Sequence, residues 1–311
     1  MQKYKKLNAN PYTRSDNHPS ISFLYLLITV LLSATVFSLI GLFIGFLLFG
    51  SDILQLGAQR FIGLTEDELN FISLSQIFSA VGTFVVPALL LNRIERNKKA
   101  YFDLSLGSDV KHYALIFLLM LMFTPFFEIT ILLNERMHFP DFMKSVEHWM
   151  REKEDETGAL TNALLSRDSV AGLIINIFMI GILAAVGEEL LFRGCLQNIF
   201  IKWIGKPHIA IWLTAAIFSA IHIQFYGFLP RMLIGALCGY LYFWGRSIWL
   251  AITAHFINNV SAILIAFYLV KSNKPLDSLS FDLNQWPWAI VSLFAGLLIL
   301  YFYKRGTEKV N

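Results

Sequence analysis

Apolar runs separated by short polar stretches make up most of this chain. They fall at roughly residues 21–49, 71–91, 112–134, 169–200, 208–225, 227–244, 247–270 and 286–303. A helix needs about 20 apolar residues to cross a bilayer, so each run is read as a membrane span. The sixth is the weakest, because Arg231 lies near its start. The pattern predicts an all-α fold, a polytopic transmembrane helix bundle of about eight spans in one domain, with no internal repeat. A polar N-terminal tail at 1–20 and a short one at 304–311 flank the body at 21–303. The first apolar run is too long for a signal-peptide core and has no clear small-residue cleavage site, so it is read as a retained span.

Composition points the same way. Of 311 residues, 56% are apolar and 15% charged, against about 45–50% and about 25% in soluble domains. The net charge is only +3, and the basic residues sit in short loops and tails. That suits a lipid bilayer surface and not nucleic acid. Lys3, Lys5, Lys6 and Arg14 mark the N-terminal tail, Arg93, Arg96, Lys98 and Lys99 follow the second span, and Lys202, Lys206 and Arg246 follow later ones. Lys304, Arg305 and Lys309 close the chain, whereas Asp52, Glu66, Asp67 and Glu68 follow the first span. The positive-inside rule then places both termini in the cytoplasm, as an even number of spans requires. The two cysteines, Cys195 and Cys238, form no Cys-x-x-Cys pair, which argues against a disulfide framework or a thiolate metal site. Cys195 is read as packing, since no basic partner stands at fixed spacing to activate it.

The stretch from 135 to 168 is the one long polar connection. Phe142, Val146 and Trp149 recur there at helical spacing. This fits either a helix lying on the outer membrane surface or a solvated connector.

Ionisable groups inside apolar runs change the picture most. Residues 184–194, AAVGEELLFRG, place Glu188, Glu189 and Arg193 within the fourth span. Each such group costs roughly 2.5–3.5 kcal/mol to insert, so partners within the protein are expected. Glu189 and Arg193 are four apart and share a helix face as an ion pair. Glu188 is rotated by about 100° and is free to act as general base toward water. His222 and His255 lie within the fifth and seventh spans, and Asn259 is four residues beyond His255. Counting helix rise from the nearest cytoplasmic basic residue, Glu188 lies roughly 21 Å deep, His222 roughly 24 Å, His255 roughly 13 Å and Asn259 roughly 19 Å. These depths overlap, so the groups can share one membrane-embedded cavity. Singly, an intramembrane histidine or asparagine more often bonds across helices, and a lone Glu–Arg pair is more often architectural. Together they point to a site. Glu128, in the third span, is a weaker candidate, and Phe218 is expected to pack beside His222.

Glu188-Glu189-x-x-x-Arg193, Phe218-x-x-x-His222 and His255-x-x-x-Asn259, in that order on separate spans, resemble the three motifs of the CPBP intramembrane proteases. That family joins the CAAX-prenyl endoproteases with bacterial bacteriocin-processing and immunity (Abi) proteins. The motif-bearing core is about 170–265. The resemblance implies a helix bundle whose cavity opens to the membrane, and hydrolysis of a peptide bond in a membrane-associated peptide or protein. It implies that Glu188 activates water with His222, that His255 and Asn259 stabilise the oxyanion, and that Glu189 and Arg193 support them. Glutamate chemistry without a cofactor is favoured. Zinc held by Glu188, His222 and His255, with an open position for water, is the alternative. Lysine and asparagine usage, the charge pattern and the Abi resemblance suggest a bacterial inner membrane. Two other functions compete: a non-catalytic immunity or scaffold protein with a structural polar cluster, and a transporter, which would show repeat symmetry and broken helices.

Overall fold

The computed structural model describes residues 17–50, 61, 63–95, 102, 104, 109–276, 278 and 282–310. Most of the N-terminal tail, together with Asp52, Arg96, Lys98 and Lys99, lies outside them. Among the described residues the main elements are nine helices: α1 Pro19–Phe49, α2 Glu66–Ile94, α3 Val110–Glu135, α4 Lys144–Leu165, α5 Val170–Ile204, α6 Pro207–Ala220, α7 Phe228–Gly245, α8 Ile248–Lys271 and α9 Trp286–Val310. The all-α, multi-pass membrane architecture is as the apolar runs foretold. Six helices (α1, α2, α3, α5, α8 and α9) are long and apolar enough to cross a membrane.

The remaining two runs form a shorter hairpin. α6 has 14 residues, about 21 Å of rise, which falls short of a hydrocarbon core of about 30 Å. It ends at Ala220, not near 225 as the apolar run suggested. The chain then turns through Ile223, which is left-handed with φ 55°, a conformation costly for a β-branched residue. His222 therefore sits half-buried in a turn beyond the end of α6, not midway along a helix. α7 returns from this turn with Arg231 in its first turn.

Two other boundaries differ from the sequence reading. Residues 304–310, read as a tail, continue α9 as helix. Tyr303 is fully buried there, donates its hydroxyl to the Leu241 carbonyl (2.8 Å) and meets His112 of α3 edge-on. That packing carries the helix past its apolar run. The stretch 135–168 is helical over α4, and Phe142, Val146 and Trp149 are all exposed. An exposed apolar row beside charged positions suits a helix resting on a lipid surface.

α5 forms the centre. Leu190–Gln197 is buried at every position. The helix widens into π-type turns at Ile177–Leu183 and Leu190–Gln197, on either side of an α-helical Ala184–Glu189. Such wide turns are frequent at functional sites.

Candidate active site

The polar cluster is built outward from α5. Glu189 and Arg193 are both fully buried, and Glu189 Oε1 accepts from Arg193 Nη1 at 2.7 Å. The same oxygen accepts from His255 Nδ1 of α8 at 2.8 Å. Arg193 Nη2 donates to the Gly235 carbonyl of α7 at 2.9 Å, and the guanidinium lies 4.6 Å from the Phe218 ring centre. One ion pair thus ties α5 to α6, α7 and α8. Removing one member of such a buried pair typically costs about 3–5 kcal/mol.

Glu188 leaves the helix on another flank. It is 8% exposed, and its Oε2 stands 3.8 Å from His255 Nε2. That is beyond direct hydrogen bonding, though a single water could touch both groups. Because Glu189 accepts from Nδ1, His255 presents Nε2 toward Glu188. His222 Nδ1 lies 2.8 Å from the Phe218 carbonyl. A carbonyl only accepts, so Nδ1 carries the proton and Nε2 is the free acceptor of the neutral ring. The Phe218 ring stands between the two histidines, 5.1 Å from His222 and 6.0 Å from His255, edge-on to both.

The structure therefore brings Glu189, Arg193 and His255 into direct contact, with Glu188 3.8 Å from His255 and His222 beside them through Phe218. Asn259 is on the same face of α8 one turn away, but it is tethered. Its Nδ2 donates to the Ile180 carbonyl at 2.8 Å, within the first wide turn of α5, and its Oδ1 accepts from Asn258 at 3.2 Å. Glu128 stays half-buried on α3, where Glu135 is its charged neighbour. Cys195 is fully buried with Sγ 3.9 Å from the Ala88 carbonyl, a packing role. Among the described residues no three His, Cys, Asp or Glu side chains converge closely enough to hold a metal ion. The expected zinc set of Glu188, His222 and His255 is not drawn together as these side chains stand, though both histidines bond within the protein through Nδ1 and keep Nε2, the atom that would face an ion.

Sequence reasoning missed the supports of the His222 turn. Asn134, at the end of α3, donates to the Phe225 carbonyl (2.9 Å) and accepts from Leu229 N (2.8 Å). α4 presses on the same turn: Trp149 meets the Phe225 ring at 5.3 Å, Arg151 lies 4.3 Å from the Tyr226 ring centre, and Glu154 accepts from Tyr226 N at 3.0 Å. Burial pushes the Glu154 carboxyl above its ordinary value, against the pull of Tyr226 N–H and Arg231. Glu147, bonded by Arg151 and by Phe139 N, is held down at about 2. A cavity of about 380 Å³ lies between these elements, lined by Asn134, Met150, Phe225 and Phe228 among others. Only helical spacing in 142–149 hinted at any of this. Arg231, counted in the sequence only against a span, also faces this region.

Residues 170–261 match the family described as type II CAAX prenyl endopeptidase Rce1-like. All three motifs fall inside that range. A Bacillus subtilis (strain 168) protein described as uncharacterized, YpbD, is 30% identical over 135 residues, which is 42% of this chain and 65% of that protein. The match thus spans less than two thirds of the relative. No solved structure matches the chain.

Proposed function

We propose, on the premise that residues 170–261 are of the Rce1-like, type II CAAX prenyl endopeptidase kind, that this multi-pass membrane protein is an intramembrane endopeptidase. It cleaves a peptide bond in a membrane-associated peptide or protein, with both termini in the cytoplasm of a bacterial cell. The observation that carries this reading is the unequal use of two adjacent carboxylates. Glu189 holds Arg193 and His255 through Oε1, its Oε2 having no partner among the described residues, while among those residues Glu188 has only the 3.8 Å approach to His255 Nε2. A carboxylate left free beside an imidazole in a dry site is what a water-activating base requires. Glu188 takes the proton from water, and His222, whose Nε2 is an acceptor, orients that water. His255 and Asn259 are assigned the oxyanion of the intermediate. Glu189 and Arg193 hold the geometry. No step is assigned to a metal.

One observation favours the competing scaffold reading: the Asn259 amide and the Glu189–Arg193 pair are already committed to cross-helix bonds. The test is cleavage of internally quenched peptides in liposomes by wild type, Glu188→Ala and His222→Ala, with and without a strong chelator. The proposal expects cleavage by wild type alone, unaffected by chelator. Chelator loss restored by zinc would replace glutamate chemistry with metal chemistry. Unchanged cleavage in Glu188→Ala would sink the assignment, and the absence of cleavage by folded wild type would leave the scaffold.

A further inference from the structure

Two hydrogen bonds fix the register of α5 against α7. Arg193 Nη2 donates to the Gly235 carbonyl at 2.9 Å, and Gln197 Nε2 to the Gly239 carbonyl at 3.2 Å. Each pair is 42 residues apart in sequence, so the two helices run parallel and in step. Gly235 and Gly239 permit the close approach. A Cβ at 239 would stand 2.7 Å from Gln197 Oε1, and one at 235 would stand 3.2 Å from Arg193 Nη2. One turn back along both helices, the same spacing sets Arg231 level with Glu189, next to Glu188.

The Arg231 side chain is held from the His222 turn. Its Nη2 donates to Gln224 Oε1 at 2.7 Å, and its Nη1 lies 3.4 Å from the Gln224 carbonyl. These partners are neutral. Glu188 and Glu154 act on the guanidinium only through space, from α5 and from α4. A half-buried guanidinium bonded to an amide keeps its charge for something else.

The proposed chemistry supplies that need. When water adds to the scissile carbonyl, a C–O bond forms, the water's proton passes to Glu188, and the carbonyl π pair moves onto oxygen. Collapse restores the carbonyl and expels the amine, which takes the proton. The donors for that oxygen are few. His255 gives its Nδ1–H to Glu189, so its Nε2 donates only when the ring is doubly protonated, and Asn259 spends one of its amide hydrogens on Ile180. An arginine is charged throughout.

We infer that Arg231 is a further catalytic residue, its guanidinium oriented by Gln224 toward the oxyanion of the tetrahedral intermediate. This rests on the endopeptidase reading. The test compares wild type, Arg231→Gln, Arg231→Lys and Gln224→Ala. It measures kcat and KM on a cleaved peptide, and binding of a peptide phosphinate, which carries the tetrahedral negative charge, against its uncharged parent peptide. Loss of one preorganised donor typically lowers kcat by about 10²–10³-fold. Arg231→Gln should therefore lower kcat about 100-fold with KM nearly unchanged, and weaken phosphinate binding similarly while sparing the parent. Arg231→Lys keeps the charge without the planar fork and should recover about tenfold of the loss. Gln224→Ala should fall between them. Equal weakening of phosphinate and parent, or an unchanged kcat in Arg231→Gln, would overturn the inference while leaving the endopeptidase intact. Wild type that cleaves nothing and binds the phosphinate no better than its parent would remove both.

Discussion

α1 and α5 are both long helices apolar enough to span a membrane, yet they do opposite work. α1 turns Leu31, Leu32, Phe43 and Leu47 outward, each more than 60% exposed. Its hydroxyls are bonded within α1 or to the neighbouring α2 and its end: Thr29 and Thr35 return to their own helix, Ser33 bonds the Thr29 and Gly82 carbonyls, and Ser22 donates to Glu95. α5 instead buries every position of Leu190–Gln197 and sends its charged groups to three other helices, α6, α7 and α8. Apolarity places both helices in the bilayer. What separates them is where the charged groups lie, because each must find a protein partner and so fixes which face turns inward.

The contrast can be broken most forcefully at Arg193. Arg193→Met leaves Glu189 buried without its cation and should cost about 3–5 kcal/mol. Thermal unfolding in detergent would show a large drop, and adding Glu189→Leu should restore much of it. A small loss in Arg193→Met would mean that the ion pair does not hold the bundle. Asn134→Ala tests the His222 turn at lower cost. It leaves Leu229 N without its Asn134 acceptor and Phe225 O with only its bond from Phe228 N, worth about 1–3 kcal/mol. Displacing His222 should also lower kcat by about tenfold or more, at little change in KM.

A smaller effect is expected on α4. Because the Glu147 carboxyl is held at about 2, below its usual 4.5, its bond to Arg151 contributes fully above pH 4.5 and is lost as the pH falls toward 2. Hydrogen exchange over 138–151 should quicken across that acid window and stay unchanged at neutral pH. Glu147→Gln should remove the transition, and a transition that persists in that variant would assign it elsewhere. The smallest effect belongs to α1: Leu31→Ala, on the outward face, should shift stability by no more than about 0.5 kcal/mol. A loss comparable to that of Arg193→Met would mean that α1 is packed against a partner.

Much of this was legible in the sequence for a physical reason. Twenty apolar residues in a row have few destinations, and charges among them have fewer still. Hence the spans, the Glu189–Arg193 pair and the meeting of α5 with His255 follow from spacing and depth. Spacing could not reveal that α6 stops at Ala220, since Ile221 and Ile223 are as apolar as a span requires. It could not separate a surface helix from a connector at 144–165, because the contacts of Trp149, Arg151 and Glu154 with the His222 turn are tertiary. Nor could it value Arg231. That residue gains meaning only from the register of α5 on α7 and from Gln224, which lies two residues beyond His222. The free Asn259 expected of an oxyanion donor also looks different in the fold, where Ile180 holds it.

The most direct test of the account is a comparison of wild type with Glu188→Gln, which keeps size and hydrogen-bonding capacity but removes the base. Initial rates would be measured on one peptide that wild type cleaves, with melting temperatures taken in the same detergent. The account predicts a rate loss of about 10²–10⁴-fold, the typical worth of a general base, with the melting temperature held or raised. A variant that melts normally and still cleaves near the wild-type rate would contradict it, and the two adjacent carboxylates would then have to be read as architecture alone.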